Sequence, residues 1–205
     1  KSTLARFIPR LIHPDRGRVL IDGKPVESFS LAALRAVTGY VPQATFLFSD
    51  TLRENVALAG GGKNGAVERA TEISGLTADL EQFPAGLETK VGERGVTLSG
   101  GQKQRTALAR ALVREPRILI LDDAMSSVDT RTEERILGRL RDVMAGRTTI
   151  LIAHRISTVM QADLIVVLED GRIAEQGTHQ ELVVRNGIYA AMYRRQHLSQ
   201  ELDTL

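Results

Sequence analysis

A chain of 205 residues, 42% hydrophobic and 25% charged, is long enough for one substantial core and too apolar to be disordered. Its 27 Lys and Arg against 25 Asp and Glu leave a net charge of +2, which argues against a nucleic-acid or membrane-surface role. The absence of cysteine excludes disulfide frameworks and thiolate metal sites, and no apolar run approaches the roughly 18 residues that span a bilayer.

The chain opens on KSTLARF, with no initiator Met and no apolar signal core, so the sequence reads as cut at its start. GRVLIDG (residues 17–23) predicts a short strand closed by an Asp-Gly turn. SLAALRAVTG (30–39) predicts a helix capped by Ser30 and ended by Gly39, and YVPQ follows with Pro42 halting any regular element. From Ala44 to about Glu115 the pattern is helical, as in TLRENVAL and GAVERATEISGL, with a flexible AGGGKNG (59–65) between them.

After Pro116 the pattern switches. RILILDD is an apolar strand, TRTEERILGRLRDVM a helix and TTILIAH (148–154) a second apolar strand. DLIVVLED then turns through Asp-Gly into GRIAEQG, and two helices close the chain, the first with Thr178 and Glu181 at capping-box spacing. Apolar strands alternating with helices predict a mainly parallel sheet covered on both faces. The expected organisation is an α/β core of residues 1–43 and 115–205 interrupted by a helical subdomain, 44–114. Ligands of open α/β sheets bind where the strands end, and Asp122, Asp123 and His154 sit at such ends.

LSGGQKQRTALARAL (98–112) carries the densest chemistry. Ser99 and Gln102 have capping-box spacing, and two glycines at a helix start let backbone N–H groups approach an anion closely. Asp122 ends a buried strand, which suits a carboxylate held rigidly for Mg²⁺. A second Asp beside it costs energy unless a cation or proton is near.

LSGGQKQR resembles the signature motif of ATP-binding cassette (ABC) ATPases. ILILDD resembles their Walker B strand, YVPQ their Q-loop, SSVD their D-loop and IAHR their switch histidine, in the family's order and across nearly the whole chain. TLRENV, VGERG and ADLIVVLEDGRIAEQGTHQEL resemble the exporter-type branch. The resemblance implies a P-loop NTPase (RecA-like) fold, a mainly parallel sheet with an inserted α-helical subdomain, cut at its Walker A motif.

It also implies roles. Lys1, Ser2 and Thr3 correspond to the end of the P-loop, Lys1 reaching the phosphates of ATP and Ser2 ligating Mg²⁺ with Asp122 and Gln43. Gln43 and Asp123 would orient the attacking water, and His154 would meet the γ-phosphate. Ser99, Gly100, Gly101 and Gln102, with Asp129 of the D-loop, would face nucleotide across a head-to-tail dimer. His13, His179 and His197 are expected to be structural. Glu93 and Arg94 of VGERG resemble a loop that touches a transmembrane domain. The implied partners are a second ABC ATPase domain and that membrane domain, at the cytoplasmic face of the cell membrane, with no nucleic acid. Because the family's glycine loop and adenine-stacking residue are not in this sequence, the resemblance implies weak ATP binding by these residues alone.

Asp123 departs from the pattern, since most members have Glu there. Loss of one methylene retracts the carboxylate by roughly 1.5 Å, and a misplacement near 1 Å costs on the order of a hundredfold in rate. The expectation is a slow site of its own and an intact signature lent to a competent partner, as in heterodimeric exporters. A homodimer with a slower base, a regulatory module with negligible turnover and a soluble non-transport ABC ATPase are the alternatives.

Overall fold

The computed structural model describes residues 1–58, 60, 65–93 and 97–202, so most of the glycine-rich 59–65 stretch and Arg94 of VGERG lie outside the described residues. Contacts divide the chain into two compact units, Lys1–Ile152 and Ala153–Leu205.

The first unit opens with helix α1 (Ser2–Phe7) and a hairpin of β1 (Leu20–Ile21) and β2 (Lys24–Pro25). Asp22 and Gly23 turn that hairpin with φ of 50° and 76°, the left-handed pair an Asp-Gly turn supplies. Helix α2 (Leu31–Ala36) starts where Ser30 Oγ accepts the Ala33 amide, as predicted. Gly39 does not end it. The helix stops at Ala36, and Gly39 lies inside β3 (Thr38–Val41). The reason for glycine there is tertiary: a Cβ would sit 2.7 Å from the Ala111 carbonyl oxygen and 2.8 Å from Pro116 Cγ.

The helical middle follows as α3 (Leu52–Ala57), α4 (Ala66–Ile73), α5 (Thr77–Leu80) and α6 (Gly100–Leu112). Then come β4 (Ile118–Asp122), α7 (Thr130–Met144) and β5 (Thr148–Ile152). The predicted strand 148–154 is two residues shorter, leaving His154 beyond its end. Strands β3, β4 and β5 form one parallel sheet with β4 in the centre. All five residues of β4 are buried, as a central parallel strand requires.

Alternation along the strands decides what the sheet end presents. Ile118 and Ile120 pack with Ala5 of α1 and Ile8 just after it, and with Tyr40, Ile150 and Ile152. Leu119 and Leu121 point the other way, into the main core with Leu108 and Leu112 of α6 and Ile136 and Leu140 of α7. With a period of two, Asp122 falls on the face that α1 covers.

The second unit holds α8 (Ile156–Val159), an antiparallel pair of β6 (Ile165–Glu169) and β7 (Arg172–Gly177), then α9 (His179–Arg185) and α10 (Ile188–Leu202). Asp170 and Gly171 make the predicted turn between the strands, both at positive φ. Thr178 and Glu181 form the predicted capping box. Ile156, Ile165, Leu182 and Tyr189 make this unit's core. Among the described residues no helix is long and apolar enough to cross a membrane.

Candidate functional site

At the carboxyl end of β4 the Asp122 side chain is 1% exposed. Its Oδ1 accepts the Ser2 hydroxyl at 2.8 Å and its Oδ2 the Tyr40 hydroxyl at 3.2 Å. Both partners follow from the alternation: Ser2 begins α1, which covers this face, and Tyr40 is paired with Ile120 on the same side. Two neutral hydroxyls steady the carboxylate without neutralising it. Burial raises the Tyr40 phenol above its ordinary pKa, and the charge of Asp122 adds to the rise, so the proton stays on the donor.

Asp123 leaves the strand with φ of 53°, a left-handed conformation that Asp tolerates better than most residues. Its N–H donates to the Ile152 carbonyl at 2.8 Å, extending the β4–β5 ladder by one bond. Its Oδ2 accepts from Gln43 Nε2 at 3.4 Å. The structure thus gathers Ser2, Gln43, Asp122 and Asp123 at one sheet end. Lys1 caps α1 with an exposed side chain, and Thr3 is exposed in the first turn.

The signature stretch forms the predicted capping box. Ser99 Oγ accepts the Gln102 amide at 3.2 Å, and Gln102 Oε1 accepts the Ser99 amide at 2.9 Å. Ser99 and Gly100 are exposed and Gly101 is buried. The glycines have a second cause besides anion access. A Cβ on Gly100 would lie 3.2 Å from Ser127 Cβ, and one on Gly101 3.1 Å from the Ser127 carbonyl. The loop after Asp123 therefore runs directly beneath the start of α6. Asp129 ends that loop and caps α7, its carboxylate taking the Thr132 amide at 2.9 Å. This bond, with the Thr132 hydroxyl, holds Asp129 below the usual carboxylate range.

His154 belongs to the second unit. It is exposed, and its backbone oxygen accepts from Gln196 Nε2 at 2.7 Å. His179 Nδ1 lies 2.8 Å from the Tyr189 hydroxyl. Three residues of the site escaped the sequence reading. Tyr40 is set by strand register, which no local signal gives. Gln104 lies on the buried stripe of α6 with Gly101 and Leu108, a legible place for a functional polar residue. Asp79 pairs with Arg105 through bonds of 2.7 Å and 2.7 Å and receives Gln102 Nε2 at 3.5 Å, with nothing local to announce it.

Residues 1–126 match the family model described as ABC transporter. The chain belongs to the ABC transporter family. Its fold is that of an ABC ATPase domain, a P-loop NTPase built on a parallel sheet. It is 46% identical over 204 residues to an ATP-dependent lipid A-core flippase of Cupriavidus metallidurans, covering 98% of this chain and 34% of that protein. It is 48% identical over 197 residues to an ATM1-type heavy metal exporter of Novosphingobium aromaticivorans, covering 96% and 32%. A solved structure of a bacterial Atm1-family ABC exporter with ATP bound superposes with a TM-score of 0.92 at 47% identity, covering 96% of this chain and 35% of that one. The chain spans about a third of the length of these relatives.

The ABC domain's residues fit a Mg²⁺ ion. Among the described residues no three His, Cys, Asp or Glu side chains gather to hold a metal. A buried carboxylate facing a hydroxyl is instead the sparse, oxygen-only donor set that Mg²⁺ accepts when substrate phosphates complete its shell.

Proposed function

We propose that this chain is the nucleotide-binding ATPase domain of an exporter, joined to a transmembrane domain at the cytoplasmic face of the membrane and pairing head to tail with a second ATPase domain. The observation that carries this reading is the pair of contacts Ser2–Asp122 and Gln43–Asp123 at one sheet end, with an exposed Ser99–Gly100 helix start on the same unit. An exporter rather than a soluble ATPase is favoured by likeness to a flippase and a heavy metal exporter over nearly the whole chain.

In this reading Ser2, Asp122 and Gln43 hold Mg²⁺, which when bound neutralises charge developing on the phosphates. Lys1 and Thr3 lie at the phosphates. Asp123 accepts a proton from water as the water oxygen bonds to the γ-phosphorus and the bond from that phosphorus to the bridging oxygen breaks, releasing ADP; Gln43 fixes the carboxylate by the hydrogen bond its side-chain amide donates. The γ-phosphate role of His154, a residue of the second unit, is supported only by the likeness of IAHR to the switch-histidine motif. Ser99, Gly100, Gly101 and Gln102 close over the nucleotide of the opposing domain, and Asp129 lies at the same boundary. Residues 44–114 form the helical subdomain that moves as Gln43, at its junction with the core, senses nucleotide. Glu93 and Arg94 touch the membrane domain.

Asp123 stands about one C–C bond short of a Glu carboxylate, roughly 1.5 Å, so this domain's own site is the slower one and its partner is a different chain with a competent acid. Changing Asp123→Glu in the complete transporter tests this. The expected outcome is a gain in steady-state ATP hydrolysis with two competent sites; unchanged hydrolysis would sink the retracted-base reading.

A further inference from the structure

Gln104 is 4% exposed, and its amide is spent entirely on one loop. Nε2 donates to Ser126 Oγ at 2.8 Å and stands 3.5 Å from the Asp123 carbonyl oxygen, while Oε1 accepts the Ser127 amide at 2.9 Å. The same loop carries a second bond to that carbonyl, from the Ser126 amide at 3.3 Å. The amide thus touches the first, fourth and fifth residues of the 123–127 turn. Asp123 itself is in the left-handed region, a conformation that persists where surroundings over-determine it.

We infer that Gln104 is a positioning residue for Asp123, clamping the 123–127 turn so that the carboxylate is presented at the end of β4. A buried amide with both ends satisfied holds its partners more stiffly than packing alone, because leaving either end unpaired carries a desolvation cost. The clamp also hangs from α6, which Ser99 caps and Gly100 begins, so the base and the signature share one anchor. The inference rests on the reading of Asp123 as the carboxylate base that takes the water's proton.

The experiment is ATP turnover by the complete transporter, with the opposing chain's own acidic residue neutralised where that chain differs, so that only the Asp123 site is read. Gln104→Leu removes the whole clamp and Ser126→Ala the shortest of its bonds; Ser126 is exposed, so its change leaves the core intact. Each is expected to lower kcat by about tenfold or more while KM for ATP stays within about twofold. Added to Asp123→Asn, neither should lower kcat further, since the clamped group is already disabled. Full turnover in Ser126→Ala, or losses that multiply in the double variants, overturns the clamp. Unchanged turnover in Asp123→Asn alone overturns the reading of the base and the clamp with it, whereas a clamp failure beside a strong Asp123→Asn effect leaves that reading standing.

Discussion

Ser2 Oγ donates to Asp122 Oδ1 at 2.8 Å, joining residues 120 positions apart in the chain. The bond exists because α1 lies on the face of β4 that Ile118, Ile120 and Asp122 share. A hydroxyl already held against a buried carboxylate is pre-set to ligate the same cation. Altering groups that only support a metal's ligands costs 10- to 100-fold in affinity, so Ser2→Ala should raise the Mg²⁺ concentration for half-maximal ATP binding by roughly tenfold or more. Nucleotide binding measured in EDTA should barely change. An unaltered Mg²⁺ titration would remove Ser2 from the ligand set.

Asp79 and Arg105 form a bidentate pair whose side chains are 11% and 12% exposed. Breaking a buried pair strands a charge, so Asp79→Ala should cost about 3–5 kcal/mol of unfolding free energy. Replacing both partners with apolar groups of similar volume, Asp79→Leu with Arg105→Met, should recover most of it. Urea unfolding of the two variants decides the matter. If the single and double changes cost the same, charge burial is not what holds α5 to α6.

How much of this was legible depends on how local the cause is. Helix α7 matches the predicted TRTEERILGRLRDVM stretch residue for residue, because its Asp129 cap immediately precedes the stretch and its amphipathic spacing lies within it. Both capping boxes, at Ser99–Gln102 and Thr178–Glu181, were readable for the same reason. Four apolar residues at 118–121, with Asp122 behind them, sufficed to find the strand that lies at the centre of the sheet. Gly39 was misread because the carbonyl and the proline that exclude a side chain there come from α6 and the turn before β4. Tyr40 reaches Asp122 only through the parallel β3–β4 register, and Asp79 meets Arg105 26 residues on. Such contacts leave no periodic trace in the sequence.

Acid should loosen α7 from its start. The Thr132 amide and hydroxyl keep Asp129 below the ordinary carboxylate pKa in the folded state. A depressed folded pKa contributes stability that is present above the unfolded value of about 3.9 and is lost as pH falls through the folded one. Protection of the Thr132 amide against hydrogen exchange, corrected for intrinsic rate, should therefore decline below about pH 4. Asp129→Asn keeps a cap acceptor but has no proton to gain, so its protection should be flat over that range. The same acid loosening in the Asn variant would assign the effect to another group.

Two glycines should respond with opposite sign to the same substitution. At Gly39 a Cβ would meet the Ala111 carbonyl at 2.7 Å, Pro116 Cγ at 2.8 Å and Leu119 Cδ1 at 3.3 Å. The first of these is backbone and cannot rotate away, so β3 must shift from α6. Overpacking of this kind costs about 1–3 kcal/mol. The shift also moves Tyr40, the next residue, off Asp122 Oδ2, so Gly39→Ala should weaken Mg²⁺-dependent ATP binding as well as stability. At Gly138, inside α7, a Cβ meets nothing within 4 Å. There alanine only gains helix propensity, and Gly138→Ala should stabilise by about 0.5–1 kcal/mol. Thermal unfolding of the two variants, with Mg²⁺ titrations of ATP binding alongside, measures both effects. Destabilisation by both would mean that flexibility, rather than space at Gly39, governs the response. Loss of stability at Gly39 with an intact Mg²⁺ titration would separate β3 packing from the Tyr40–Asp122 bond and show that Ser2 alone keeps the carboxylate in place.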